Sequence, residues 1–112
     1  MGYELIELST PGEVLKEEFL DPMGVTPYAL SKAIFVDPPR IAAIIKGTRK
    51  ITADTALRFS RFFGNSAAFW MNMQSRYDLE VQMEAKEKEL NKIHQFQIIN
   101  ISLISSFIDL KI

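Results

Sequence analysis

The sequence contains no cysteine and only one histidine. Without cysteine there is no disulfide framework and no thiolate site, and a single histidine, His94, cannot form a cluster of metal ligands. No run of about 18 apolar residues could span a bilayer, and the first residues are acidic rather than the basic start of a signal peptide. We therefore expect a cytoplasmic protein with no metal and no cofactor.

The chain also lacks the paired carboxylates of a general acid–base site. Glu13, Glu17 and Glu18 lie on one short predicted helix, with no acidic group predicted across a cleft from them. The Phe, Trp and Met residues between 59 and 73 recur at helical spacing, which is typical of a core rather than of a ligand pocket. We do not expect an enzyme.

Length and charge indicate one domain with a polarised surface. The 112 residues are 47% hydrophobic, which suffices for a single core. Residues 24–64 contain seven basic and two acidic side chains, a net charge of +5, whereas residues 1–23 carry −5. Because the Debye length is about 8 Å at physiological salt, the basic middle can bind phosphate although the whole chain has a net charge of −1.

Residues 26–47 read as two short amphipathic helices that meet at a tight corner. Four apolar residues share one face of the first helix, residues 28–35, opposite Ser31 and Lys32: Ala29, Leu30, Ala33 and Ile34. The second helix starts at the corner, where Asp37 can cap it and Pro38 tolerates its first position, and Gly47 ends it. This pattern predicts a helix-turn-helix whose second helix enters the DNA major groove by its N-terminal end.

The flanking segments complete an all-α, five-helix domain. A helix from Pro11 should stop at residues 21–24, a fourth should follow Thr52, and a fifth should start at Ser66. Mixed charges from residue 80 to 92 predict a solvated helical extension. We place the helix-turn-helix domain at residues 1–93, with its core at 11–81.

The tail, residues 94–112, differs from the rest. Apolar and polar residues alternate over 99–103 and 108–112, so two short strands are one interpretation and a helix is the other. Either form exposes large apolar side chains unless a surface covers them. We expect the tail to form a dimer interface or to bind a partner protein.

Residues 11–81 carry a resemblance to a known family. Its segments are PGEVLKEEFLDPMG and TPYALSKAIFVDPPRIAAIIKGTRKITADTALRFSRFFGNSAAFWMNMQSRYDLEV. They resemble the HigA type of antitoxin, VapI-like, within the Xre, lambda-repressor-like helix-turn-helix superfamily. The resemblance implies an autoregulator that binds operator double-stranded DNA as a homodimer. It also implies that the protein neutralises a HigB toxin, a RelE-like enzyme that cleaves mRNA on the ribosome.

The same resemblance assigns residues to DNA contacts. Base-reading positions fall on Pro38, Pro39, Arg40 and Ala43. Backbone-contacting positions fall on Thr26, Tyr28, Ser31, Lys32, Thr48, Arg49 and Lys50. Only Arg40 in the first set can bond guanine bidentately; a proline or alanine offers apolar contact, for instance to a thymine methyl.

A departure from the family pattern keeps two alternatives open. Antitoxins of the HigA type often have polar side chains at the positions of Pro39, Ala42 and Ala43. Because these residues are apolar here, base reading is expected to be weak. The protein could instead be an interaction adaptor derived from a helix-turn-helix domain, or a plain Xre-type regulator without a toxin. Salt-dependent binding to duplex DNA separates the adaptor from the DNA-binding readings.

Overall fold

The computed structural model describes residues 9–97, and the regular secondary structure within them is entirely helical. The predicted all-α fold class is confirmed on these residues. The tail's predicted strands or helix, from residue 99 onward, lie outside the described residues. Residues 93–97 form neither helix nor strand.

Helix α1 is one continuous stretch with a widened middle. It is α-helical over Pro11–Val14, π-helical over Leu15–Leu20 and α-helical again over Asp21–Met23. Thr10 caps it: the Thr10 hydroxyl accepts from the Glu13 N–H, and the Glu13 carboxylate accepts from the Thr10 N–H. The π-helical turns lie just before Pro22, whose ring would clash with the carbonyl four residues back in a regular α-helix.

The predicted helix-turn-helix is present as α2, Pro27–Ala33, and α3, Pro38–Lys46. Gly47, with φ 91°, ends α3 as predicted. Asp37 occupies the N-cap position of α3, but its side chain makes no capping hydrogen bond, so the predicted side-chain cap is wrong. The connecting turn places Phe35 at φ 61°, a left-handed conformation that costs a non-glycine residue about 1–2 kcal/mol.

The buried face of α2 differs from the predicted one. Leu30 and Ile34 are buried as expected, but Ala29 and Ala33 are exposed and Ser31 is fully buried. The Ser31 hydroxyl donates to the Tyr28 carbonyl at 2.6 Å, so its polar group is satisfied without water. The true face therefore follows Leu30, Ser31 and Ile34, a regular i, i+1, i+4 stripe.

Three further helices follow: α4, Ala53–Phe63; α5, Ala67–Ala85; and α6, Glu87–Leu90. The Ser66 hydroxyl caps α5 by accepting from the Phe69 N–H at 3.0 Å, as predicted. The chain divides into two compact units after Gln82. In the second unit, residues 83–97 are all exposed.

The core of the first unit is built around Trp70 and Phe59, both fully buried. Their rings meet edge-on at a centroid distance of 4.9 Å, and the Phe19 ring lies 4.9 Å from that of Trp70. The Trp70 indole N–H donates to the Asn65 side-chain oxygen at 3.0 Å. Phe59 and Trp70 thus form core as predicted, with Phe62, Phe63 and Met73 packed against it. Phe69 and Met71 are exposed, so the prediction is wrong for these two residues.

Helix α1 packs directly on α3 through Gly12. A Cβ atom at this position would lie 1.9 Å from the Ile44 carbonyl oxygen and 2.8 Å from the Ile45 Cα. Both neighbours are backbone atoms of α3, so no side chain can move aside to make room. The position of the second helix of the helix-turn-helix therefore depends on glycine at residue 12.

Candidate nucleic-acid interface

The solvent face of α3 is small and apolar apart from one lysine. Pro39, Ala42 and Lys46 are exposed and Ala43 is half-buried, while Ile41 and Ile44 on the opposite face are buried in the core. Short side chains let the backbone of a helix approach the floor of a major groove closely. Lys46 is not among the DNA contacts predicted from the sequence. Its spacing of seven residues from Pro39 is the signal that it shares this face.

Helix α2 presents a second set of predicted contact residues. Thr26 at its N-cap, Tyr28 in its first turn and Lys32 in its last turn are all exposed. The Lys32 ammonium lies 5.4 Å from the centroid of the Tyr28 ring, within the range of a cation–π contact. The Thr26 hydroxyl accepts from the Ala29 N–H at 3.0 Å, which caps the helix. Ser31, being buried, is not presented with this group.

The loop after α3 carries the third set. Thr48, Arg49 and Lys50 are exposed, and the Thr48 hydroxyl donates to the Ala43 carbonyl at 3.3 Å. Lys50 forms an ion pair with Asp78 of α5 at 3.2 Å. No ion pair of Arg49 is present within residues 9–97, so its guanidinium is the more available cation of this loop for a phosphate.

A buried glutamine, which the sequence interpretation missed, fixes this loop. Gln74 of α5 accepts from the Ile51 N–H at 2.9 Å and donates to the Asp78 carboxylate at 3.0 Å. Asp78 in turn pairs with Lys50. A glutamine one helical turn after the buried Trp70 was the available signal, because a buried amide needs partners.

Arg40, the predicted base reader, is held against α4. One of its terminal nitrogens, Nη1, donates to Asp54 Oδ2 at 2.9 Å and approaches the Thr55 hydroxyl at 3.4 Å. Only 22% of the side chain is exposed, and the Nε atom is buried without a partner in the described part of the chain. Pro38 and Pro39 precede it on the first turn of α3.

Asp54 binds two arginines at once. Arg58 Nε lies 3.1 Å from Asp54 Oδ1 and 3.0 Å from Asp54 Oδ2. Arg58 Nη1 donates to the Ile34 carbonyl at 2.8 Å. Hydrogen bonds from Arg40 and then Arg58 hold the pKa of Asp54 below its usual value. Asp54 is therefore a carboxylate at neutral pH, and its favourable pairing is lost only as pH falls through that lowered pKa.

Other classes of site were also sought in residues 9–97. They contain no group of three histidine or carboxylate side chains arranged to hold a metal. No helix among them is both long and apolar enough to cross a membrane.

The chain is similar to several known proteins. It is 52% identical over 77 residues to virulence-associated protein I of Dichelobacter nodosus, covering 69% of this chain and 71% of that protein. It is 41% identical over 68 residues to antitoxin HigA-1 of Vibrio cholerae, covering 61% and 64% of the two chains. The solved structure of Pseudomonas aeruginosa antitoxin HigA with the higBA promoter matches with a TM-score of 0.77 at 37% identity, covering 82% of this chain and 100% of that chain. No protein-family model matches the chain.

Proposed function

The chain belongs to the HigA- and VapI-like family of helix-turn-helix antitoxins, and from this we propose that it binds its own operator DNA and neutralises a toxin. Named members of the family are antitoxins and transcriptional regulators, not enzymes. The observation that carries the proposal is the exposed face of α3, whose short side chains allow close approach to DNA. Exposed polar and basic side chains of α2 and of the loop after α3 accompany it. An operator-binding protein of this kind acts in the cytoplasm.

Base reading is proposed for the N-terminal half of α3. Pro38, Pro39 and Ala43 supply apolar surface suited to thymine methyl groups, and Arg40 supplies hydrogen-bond donors for a guanine. Lys46 lies on the same exposed face, one turn beyond Ala43. Since only one side chain in the first turn offers donors, most of the base discrimination should depend on Arg40.

Phosphate contacts are proposed for the exposed side of α2 and for the loop after α3. The residues are Thr26, Tyr28, Lys32, Thr48, Arg49 and Lys50. Ser31 would have to leave the Tyr28 carbonyl to reach a phosphate, so we assign it the packing of α2 instead. These contacts fix the position of the protein on the duplex but carry little sequence information.

Arg40→Ala should cost about 1–3 kcal/mol of binding free energy at one base position and relax discrimination there. Arg49→Ala should weaken binding to every duplex alike and reduce the slope of log affinity against log salt by about 0.9, as expected for one phosphate contact. Fluorescence anisotropy on single-base operator variants measures both effects. Equal losses on operator and scrambled DNA from Arg40→Ala would show that Arg40 contacts phosphate only.

A homodimer is proposed because one module covers too little DNA for operator-grade affinity. A single helix-turn-helix buries about 600–1,000 Å², and two half-sites one turn apart add their contributions. Large apolar side chains available for an interface are exposed on α5 and beyond it: Leu79, Val81, Met83, Leu90, Ile93 and Phe96. The sequence of residues 98–112 contains six further isoleucines.

Deletion of residues 95–112 should convert the dimer into a monomer at micromolar concentration, because it removes Phe96 and the apolar tail. Sedimentation equilibrium measures the mass, and circular dichroism checks that the helices persist. A truncated chain that stays dimeric would move the proposed interface to the exposed face of α5.

The toxin proposal is that a HigB-like, mRNA-cleaving protein binds this chain and is inhibited. Support comes from the family, since relatives are named as antitoxins. Co-expression with the product of the neighbouring reading frame tests it: growth arrest by that product alone should be relieved by this chain. No arrest and no complex would favour the alternative of a regulator without a toxin. Loss of DNA binding as well would favour the interaction adaptor.

A further inference from the structure

Three charged side chains connect α2 and α4 to the N-terminal end of α3. Arg58 of α4 joins the end of α2, through the Ile34 carbonyl, to Asp54. Asp54 joins Arg58 to Arg40 of α3. We call this connection the Arg58–Asp54–Arg40 relay. It sets the position of the one guanidinium on the first turn of α3.

The contacts of Arg40 leave a usable pair of donors. The Nη1 nitrogen carries two protons, and the strong contact at 2.9 Å to Asp54 engages one of them. The second makes only the long, 3.4 Å contact with Thr55, which a better acceptor can replace. Arg40 can then donate one proton from Nη1 and one from Nη2 to guanine O6 and N7 while the Asp54 pair remains intact.

Charge gives an independent reason to assign Asp54 a role in recognition. It is a carboxylate with 55% of its side chain exposed, beside a surface proposed to face phosphates. Such a charge repels DNA of any sequence and so lowers non-specific affinity. Asp37, at the N-cap of α3, is also exposed, and its side chain makes no capping bond. Within residues 9–97 no ion pair joins it to Arg40, so the two acids differ in whether they hold the Arg40 guanidinium.

We infer that Asp54 is a positioning residue for base recognition: through the Arg58–Asp54–Arg40 relay it holds Arg40 ready for a bidentate contact with a guanine. The inference rests on the proposed DNA-binding function. Fixing a long side chain before binding reduces the entropy lost when the contact forms. Asp54 should therefore increase sequence discrimination while it decreases affinity for DNA in general.

The test compares Asp54→Asn with Asp37→Asn, which removes the same charge. The Asp37 carbonyl, which accepts from the Arg40 N–H at 3.0 Å, is unchanged by that substitution. The probes are a duplex that the wild-type chain enriches from a random pool and a scrambled duplex of equal composition. In Asp54→Asn, the ratio of affinity for the enriched duplex to affinity for the scrambled duplex should fall by about 5- to 20-fold. This lies within the discrimination that one bidentate arginine–guanine pair provides. The affinity of Asp54→Asn for scrambled DNA should stay equal or rise by the same factor as in Asp37→Asn.

The same substitution in an Arg40→Ala background completes the test. There Asp54→Asn should change discrimination no further, since the group that it positions is gone. If Asp54→Asn loses affinity equally for both duplexes and has a lowered Tm, Asp54 has a purely structural role and the inference is overturned. A gain in operator affinity would overturn it as well, because Asp54 would then restrain Arg40 rather than position it. If the wild-type chain binds no duplex, the proposed DNA-binding function is contradicted, and this outcome is distinct from a failure of the inference about Asp54.

Discussion

Gly12→Ala is expected to destabilise the protein by about 3 kcal/mol or more, at or above the upper end of the usual cost of overpacking. The added methyl would lie 1.9 Å from the Ile44 carbonyl oxygen, so α1 and α3 must separate. Because α3 is the proposed recognition helix, DNA binding should fall with stability. Urea unfolding of the wild type and the variant measures the first effect, and anisotropy with the operator duplex measures the second.

Gly24→Ala is the matched control for this substitution. Gly24 has φ 69°, and a Cβ there would meet nothing within 4 Å. Its substitution should cost about 1–2 kcal/mol from the left-handed backbone alone and leave operator binding by the folded protein unchanged. Equal stability of Gly12→Ala and wild type would mean that α1 does not pack against α3 at this distance.

Trp70→Ala is expected to cost about 3–5 kcal/mol, the range for removing a large aromatic residue from a core. Its ring is fully buried against Phe59 and Phe19, and its N–H satisfies Asn65. Since a domain is stable by only about 5–15 kcal/mol, the variant should be partly unfolded at growth temperature. Thermal unfolding followed by circular dichroism measures the loss.

Phe69→Ala provides the comparison, because Phe69 precedes Trp70 on the same helix and is 42% exposed. Its loss should cost well under half as much, since part of the ring is already in water. Trp70→Phe should fall between the two, keeping most of the apolar volume but leaving Asn65 without its donor. A Trp70→Ala variant as stable as Phe69→Ala would contradict the assigned core.

Local signals predicted the helix-turn-helix well. Pro38 and Gly47 marked the bounds of α3, and these residues act through the backbone wherever they occur. The helical spacing of Ile41, Ile44 and Ile45 predicts the buried face of α3, where Ile41 and Ile44 are buried and Ile45 is half-buried. For α3, local signals therefore sufficed for both the element and its orientation.

Contacts between distant residues were beyond that reading. The partner of Arg40 lies 14 residues away on α4, and that of Gln74 lies 23 residues away in the loop after α3. One local contact was also missed: Ser31 was predicted to face solvent because it is polar, yet a hydrogen bond to a carbonyl three residues back lets it pack in the core. The sequence thus indicated which residues form the candidate interface but not how Arg40 is held.

The apolar face of α3 limits the number of base contacts. Proline and alanine read only apolar groups of DNA, so the preference for the operator over other DNA should lie near the lower end of the usual range, about 10³-fold, and be concentrated at the guanine proposed for Arg40. Affinity should come chiefly from phosphate contacts, and it should be steeply dependent on salt.

Titration of a duplex from upstream of the chain's own reading frame, between about 50 and about 200 mM salt, tests the central claim most directly. We predict that log affinity falls linearly with log salt and that the operator binds at least about 10³-fold more tightly than a scrambled duplex. Binding that is independent of salt, or equal for the two duplexes, would contradict the assignment of α3 and its flanking residues as a reader of operator DNA.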